Sequence, residues 1–217
     1  EELRGRLPVA SRAYQRVIAL DPDDAFARRR LAAVWMALDQ PESALPHAEQ
    51  AVRLEPDQRE ARALLARAYD AVGRDADAVE QYRAAVGDRP DASEVDLLLD
   101  LLDALVAERR YAEVVEVADR INALTPNAHA LERKGWANFQ LGEWGEARRA
   151  FQAAVSVDPE QWKAHNGMGV SALNRWLDSE RRDNASMREA RDAFRASLRI
   201  NPEQDDLVRL MSNYNLS

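Results

Sequence analysis

The sequence has 217 residues, 46% hydrophobic and 31% charged, with a formal net charge of −8 and no cysteine. Disulfides, thiol catalysis and cysteine-ligated zinc are therefore excluded, and the acidic balance disfavours general nucleic-acid binding, which needs basic surface to displace counterions. No stretch approaches the ~18 uninterrupted apolar residues of a membrane span; the most leucine-rich segment, 97–107, is broken by Asp100 and Asp103.

Helices are expected throughout, punctuated by a ladder of prolines. Pro22, Pro56, Pro90, Pro126, Pro159 and Pro202 follow one another at 34, 34, 36, 33 and 43 residues. Each sits in a turn such as Leu-Asp-Pro-Asp or Leu-Glu-Pro-Asp. Proline pushes the residue before it out of the helical region, and the polar residues after it favour a new helix start. A period in the thirties marks a solenoid. The first element is a lone second helix near 8–20, so residues 1–24 read as a partial repeat. Full repeats follow at 25–58, 59–92, 93–127, 128–161 and 162–204. The last contains an insertion between its helices near 176–184, where the first helix is expected to run on to about Ser179. Asn184-Ala185-Ser186 matches a glycosylation sequon, but a helix N-cap at Asn184 or Ser186 is the preferred reading. Residues 203–217, with Leu207, Leu210, Met211 and Tyr214 on one stripe, read as a capping helix over the last apolar edge.

Within the repeats the same positions recur. Twelve residues before each proline stand Ala10, Ala44, Ala78, Val114, Ala147 and Ala190; eight before stand Tyr14, Ala48, Tyr82, Ala118, Phe151 and Phe194. This spacing places them on one helical face. On the preceding helix, small residues at Ala32, Ala66, Gly135 and Gly169 allow close approach of the second helix. Leu102 occupies that position in the third repeat, where it predicts a splay, and Pro46 is expected to kink or shorten its helix.

A leucine plus a small residue, an aromatic three further on, and then Ala, Phe or Tyr, Ala and Pro resemble the tetratricopeptide repeat (TPR). The best match is Leu65, Ala66, Tyr69, Gly73, Ala78, Tyr82, Ala85 and Pro90. The resemblance implies an all-α, right-handed superhelical solenoid of antiparallel helix pairs, about five full repeats long. It also implies first helices that line a concave groove. By register the groove receives Phe26, Arg29, Ala33 and Met36; Glu60, Ala63, Arg67 and Asp70; Asp96, Leu99, Asp103 and Val106; His129, Glu132, Trp136 and Phe139; and Lys163, Asn166, Val170, Leu173 and Asn174. The Lys and Asn clamp of chaperone-tail receptors is absent.

The sequence offers no catalytic constellation. His47, His129 and His165 form no HExxH pair, and the acidic pairs Asp23-Asp24 and Asp205-Asp206 sit at helix starts, where the dipole accounts for them. No enzyme, cofactor or metal is expected. The expectation is a protein–protein interaction scaffold whose peptide site comprises Arg133, Trp136, Phe139, Lys163, Asn166, Val170 and Asn174. In that site Trp136 and Phe139 form an aromatic platform, the ring positions of the repeat itself being filled by Trp144 and Phe151. The alternatives are a regulatory or substrate-recruiting array of a larger enzyme, or a module that self-assembles end to end. Lys134 and Lys163 are the only lysines among 30 basic residues, a bias that fits a GC-rich bacterial genome. The compartment is open between cytoplasm and periplasm, with cytoplasm preferred. The chain starts as if cut from something longer.

Overall fold

The computed structural model describes residues 2–87 and 91–216, with side chains from Leu7 onward. Pro90 of the proline ladder lies outside the described residues, as do Glu1 and Ser217 at the ends of the partial repeat and the capping segment. Among the described residues are twelve α-helices, a single 3-10 turn at Ala92–Glu94 and no strand, so the fold is all-α. Contacts gather the chain into two units, Glu1–Glu108 and Arg109–Ser217.

The first unit holds α1 (Glu2–Leu20), α2 (Ala25–Ala37), α3 (Pro41–Leu54), α4 (Arg59–Ala71), α5 (Asp75–Ala85) and α6 (Val95–Ala107). Each helix packs on the next, and α2 also touches α4, as α4 touches α6. That skipping contact is the mark of stacked helix pairs. Small residues make the close approach: Ala44, Ala48 and Ala51 on α3, and Ala78 and Ala85 on α5, are fully buried, with the Tyr82 ring between the last two. Two expectations need correction. The first helix extends back to Glu2 and contains Pro8 rather than starting near it. Pro46 does not shorten α3, which runs uninterrupted through it. Its missing N–H removes one bond, to the Glu42 carbonyl, in a helix whose first residue is already Pro41.

The second unit holds α7 (Tyr111–Leu124), α8 (Ala128–Gln140), α9 (Trp144–Val157), α10 (Trp162–Asp178), α11 (Asn184–Ile200) and α12 (Asp205–Asn213). Successive helices again pack together, and α8 touches α10. Gly142 ends α8 in the left-handed region at φ 80°, so that Glu143 N–H reaches the Asn138 carbonyl at 2.9 Å; Gly73 does the same for α4 at φ 74°. The cap of α11 is Asp183, not Asn184 or Ser186. Its carboxylate accepts from the Ala185 and Ser186 amides at 3.0 and 3.2 Å, and Asn184 is already inside the helix. A bond from the Ser186 hydroxyl, and after it those from the two amides, hold the Asp183 carboxyl below the usual aspartate range. Leu207 and Met211 of α12 are buried against Trp176, Phe194 and Leu216, with Leu210 and Tyr214 half-buried beside them.

Candidate functional site

Helix α8 starts where Asn127 accepts the Ala130 amide at 2.9 Å, and Lys134 ties it to α7 through Asp119 at 2.5 Å. Arg133, Trp136 and Phe139 step along it every three residues. Both rings are half-buried and pack on a cluster of Ala147, Phe151, Ala154 and Ala164. Trp136 stands edge-on to Phe139 at 5.5 Å and to Phe151 at 5.2 Å. The rings therefore belong partly to the helix pair's own packing, more than the register suggested. Trp144, expected to fill a ring position of the repeat, is instead 51% exposed and edge-on to Phe139 at 4.8 Å. Arg133 Nε lies 3.8 Å from Glu132 Oε2.

Helix α10 is positioned by its glycines. A Cβ at Gly167 or at Gly169 would collide with the buried ring of Phe151 or Phe194 respectively. The stripe Lys163, Asn166, Val170, Asn174 runs along this helix. Lys163 is exposed, with its ammonium 5.6 Å from the Trp162 ring centre. Asn166 is half-buried and donates to Gln204 Oε1 at 2.7 Å, while its own carbonyl oxygen is shielded without a partner. Val170 packs at the edge of the cluster around Ala172 and Trp176, and Asn174 is half-buried. The structure thus puts the seven residues on two first helices in contact with each other. Asn166, however, faces a cleft of about 500 Å³ shared with α12, bounded by Trp162, Glu203, Gln204 and Asp206.

Two groove assignments are overturned. Glu132 is 1% exposed and Leu173 is buried, so neither presents a side chain to a groove ligand. In the first unit, Phe26 is exposed, with the guanidiniums of Arg29 and Arg30 at 5.7 and 5.9 Å from its ring centre, and Arg67 bridges to Asp100 at 2.8 Å. Asp70, though exposed, is held above the ordinary aspartate range, first by partial desolvation and then by Asp75, Asp100 and Asp103. Among the described residues no group of three His, Asp or Glu could hold a metal, and no helix is long and apolar enough to cross a membrane.

Tetratricopeptide repeat family models match residues 36–102 and 128–161. Similar solved structures include YrrB, a TPR protein with an unusual peptide-binding site, at TM-score 0.73 and 19% identity over 93% of this chain and 99% of that one. MamA from Desulfovibrio magneticus RS-1 superposes at TM-score 0.68 with 21% identity, covering 83% and 97%. Pseudomonas aeruginosa PilF does so at TM-score 0.68 with 14% identity, covering 97% and 91%. At these identities the likeness is one of fold. No curated protein matches the sequence.

Proposed function

Because the chain is a tetratricopeptide repeat protein, and so has the repeats and fold of a protein–protein interaction scaffold, we propose that it binds an extended segment of a partner protein along α8 and α10. The observation that carries this reading is the pair of half-buried rings, Trp136 and Phe139, on a first helix in contact with the polar stripe of α10. Trp136 anchors the segment. Lys163 supplies a charge, Asn166 and Asn174 supply amides for a peptide backbone, Val170 an apolar contact, and Arg133 a charge at the rim. An aromatic anchor ringed by polar groups is the expected composition of an interface hot spot. YrrB, with its peptide-binding site, supports the idea that this fold accommodates a peptide.

The test is to pan a random displayed peptide library on the full chain and measure the best peptide against three variants by fluorescence polarisation. Trp136→Leu keeps apolar volume against Phe151 and should weaken binding about thirtyfold or more. Lys163→Ala and Asn174→Ala should weaken it severalfold, with helical spectra unchanged. Unaltered affinity in all three folded variants would sink the proposal and turn attention to the Arg29 and Arg67 faces of α2 and α4.

A further inference from the structure

A second cleft of about 230 Å³ opens between α9 and α10, lined by Trp144, Gly145, Arg148, Arg149, Ser171 and Arg175. No carboxylate lines it. The carboxylates paired with its arginines are Glu189, which bridges Arg148 at 3.2 Å and also Arg175, and Glu146, which pairs with Arg149. Three guanidiniums thus share two carboxylates, leaving one positive charge in excess on a chain whose formal net charge is −8. The Nε–H of Arg175 is shielded from solvent and has no acceptor. Helix α9 begins at the same place, and its N-cap residue Glu143 makes no side-chain capping bond. Gly145 stands in that first turn, and the space where a Cβ would sit is open. Uncapped amides at a helix start favour an anion. The indole of Trp144, half-exposed, forms an apolar wall.

We propose that this cleft binds an acidic side chain of a partner segment, its carboxylate taken by Arg148, Arg149 and Arg175 and its methylenes laid against Trp144. The volume is below the ~300–1,000 Å³ of small-molecule sites and suits a single residue. The excess of one positive charge matches a carboxylate rather than a phosphoryl group, which carries about two negative charges at neutral pH. Arginine's planar fork matches a carboxylate in geometry as well as charge. The proposal rests on the reading of the chain as a protein-binding scaffold, yet uses none of the residues assigned to the α8–α10 site.

The experiment is a titration of the isotope-labelled full chain, by nuclear magnetic resonance at constant ionic strength, with N-acetyl-glutamate α-amide. N-acetyl-glutamine α-amide and N-acetyl-phosphoserine α-amide serve as comparisons. The glutamate probe should give saturable shifts at the Gly145 amide and the Trp144 indole N–H, the glutamine probe none, and phosphoserine weaker ones. Arg175→Gln should weaken the glutamate probe about tenfold. Arg149→Gln, at an exposed position, should weaken it severalfold without threat to the fold. Glu189→Gln removes the competing internal carboxylate and should tighten binding. The proposal is overturned by no saturable shift at Gly145, by equal shifts from the neutral probe, by tighter binding of phosphoserine, or by unchanged affinity in both arginine variants. Shifts confined to Lys163, Asn166 and Asn174 would overturn it too, while leaving the α8–α10 reading standing.

Discussion

In the first unit, first helices carry rings, the half-buried Trp35 on α2 and the buried Tyr69 on α4, while the second helix α3 offers Ala44, Ala48 and Ala51 and the second helix α5 a buried ring of its own, Tyr82. In the second unit α9 and α11 each carry a ring at the register position of Ala48 and Tyr82. Phe151 on α9 and Phe194 on α11 are fully buried, and the first helices answer with Gly135, Gly167 and Gly169. By register, Asn138 and Ala172 stand where Trp35 and Tyr69 do. The same period closes either way, because close packing fixes the summed volume across a seam and not its division between the two helices. The division does matter for tolerance. A ring seated over alanine has a side chain to lean on. A ring seated over glycine lies on bare backbone, which cannot rotate aside.

The largest test of that difference is Phe151→Ala. The ring is fully buried against Gly135 and Gly167, so its removal leaves a cavity whose glycine side offers no side chain to fill it. We expect a loss of about 3–5 kcal/mol in urea unfolding. Ala48, the residue in register on α3, has no such ring to lose. A cost for Phe151→Ala as small as that of an exposed phenylalanine would show that the glycine seat collapses freely, and the comparison would fail.

A smaller effect, of opposite chemistry, sharpens the same point. A Cβ at Gly135 would stand 2.5 Å from Phe151 Cδ1, and one at Gly167 would meet Cε1 and Cζ of the same ring. Gly167→Ala gains helix propensity of about 1 kcal/mol yet overpacks a ring with nowhere to go. The net expectation is a loss of about 1–3 kcal/mol. In the Phe151→Leu background that loss should shrink by at least half, since the narrower side chain vacates the space. A double-mutant cycle measures the coupling directly. Additive effects would mean that the two residues do not share one seat.

These seats were readable before any coordinates, because they depend on spacing along one helix and on a period repeated six times. Ala78, Ala147, Phe151 and Phe194 are buried as their register requires. What was not readable depends on contacts between residues far apart in the chain. The Asn166 to Gln204 hydrogen bond joins positions 38 apart, and nothing local to Asn166 announces it. Glu132 and Leu173 lie at groove-like positions of their helices, but the rotation of each helix on its neighbours turns them inward. The arginine cleft was missed because Arg148 and Arg149 on a second helix read as an ordinary solvated face. Only their convergence with Arg175, from the next first helix, makes a site. Asp183 was passed over as a cap because Asn184 and Ser186 are as good by type, and only the loop geometry chooses among them.

The smallest expected effect tests electrostatics in the first unit. Asp70, in the last turn of α4, is held above the ordinary aspartate value of 3.8 by partial desolvation first, and then by the charges of Asp75, Asp100 and Asp103. A carboxyl raised in the folded state keeps its proton to higher pH there than in the unfolded chain. Between the ordinary value and the raised one the folded state binds more protons, so stability falls as pH rises through that window. At neutral pH the ionised Asp70 is therefore a net liability, and Asp70→Asn should raise the melting temperature by about 1–2 °C. The gain should fade as pH falls from the raised value through 3.8 and be gone below ~3, where the parent carboxyl is protonated in both states. It should also shrink in high salt, which screens the three neighbouring aspartates. A gain of the same size at low and neutral pH would trace the effect to helix propensity or packing, and the acidic face of α4 and α6 would then carry no stored repulsion.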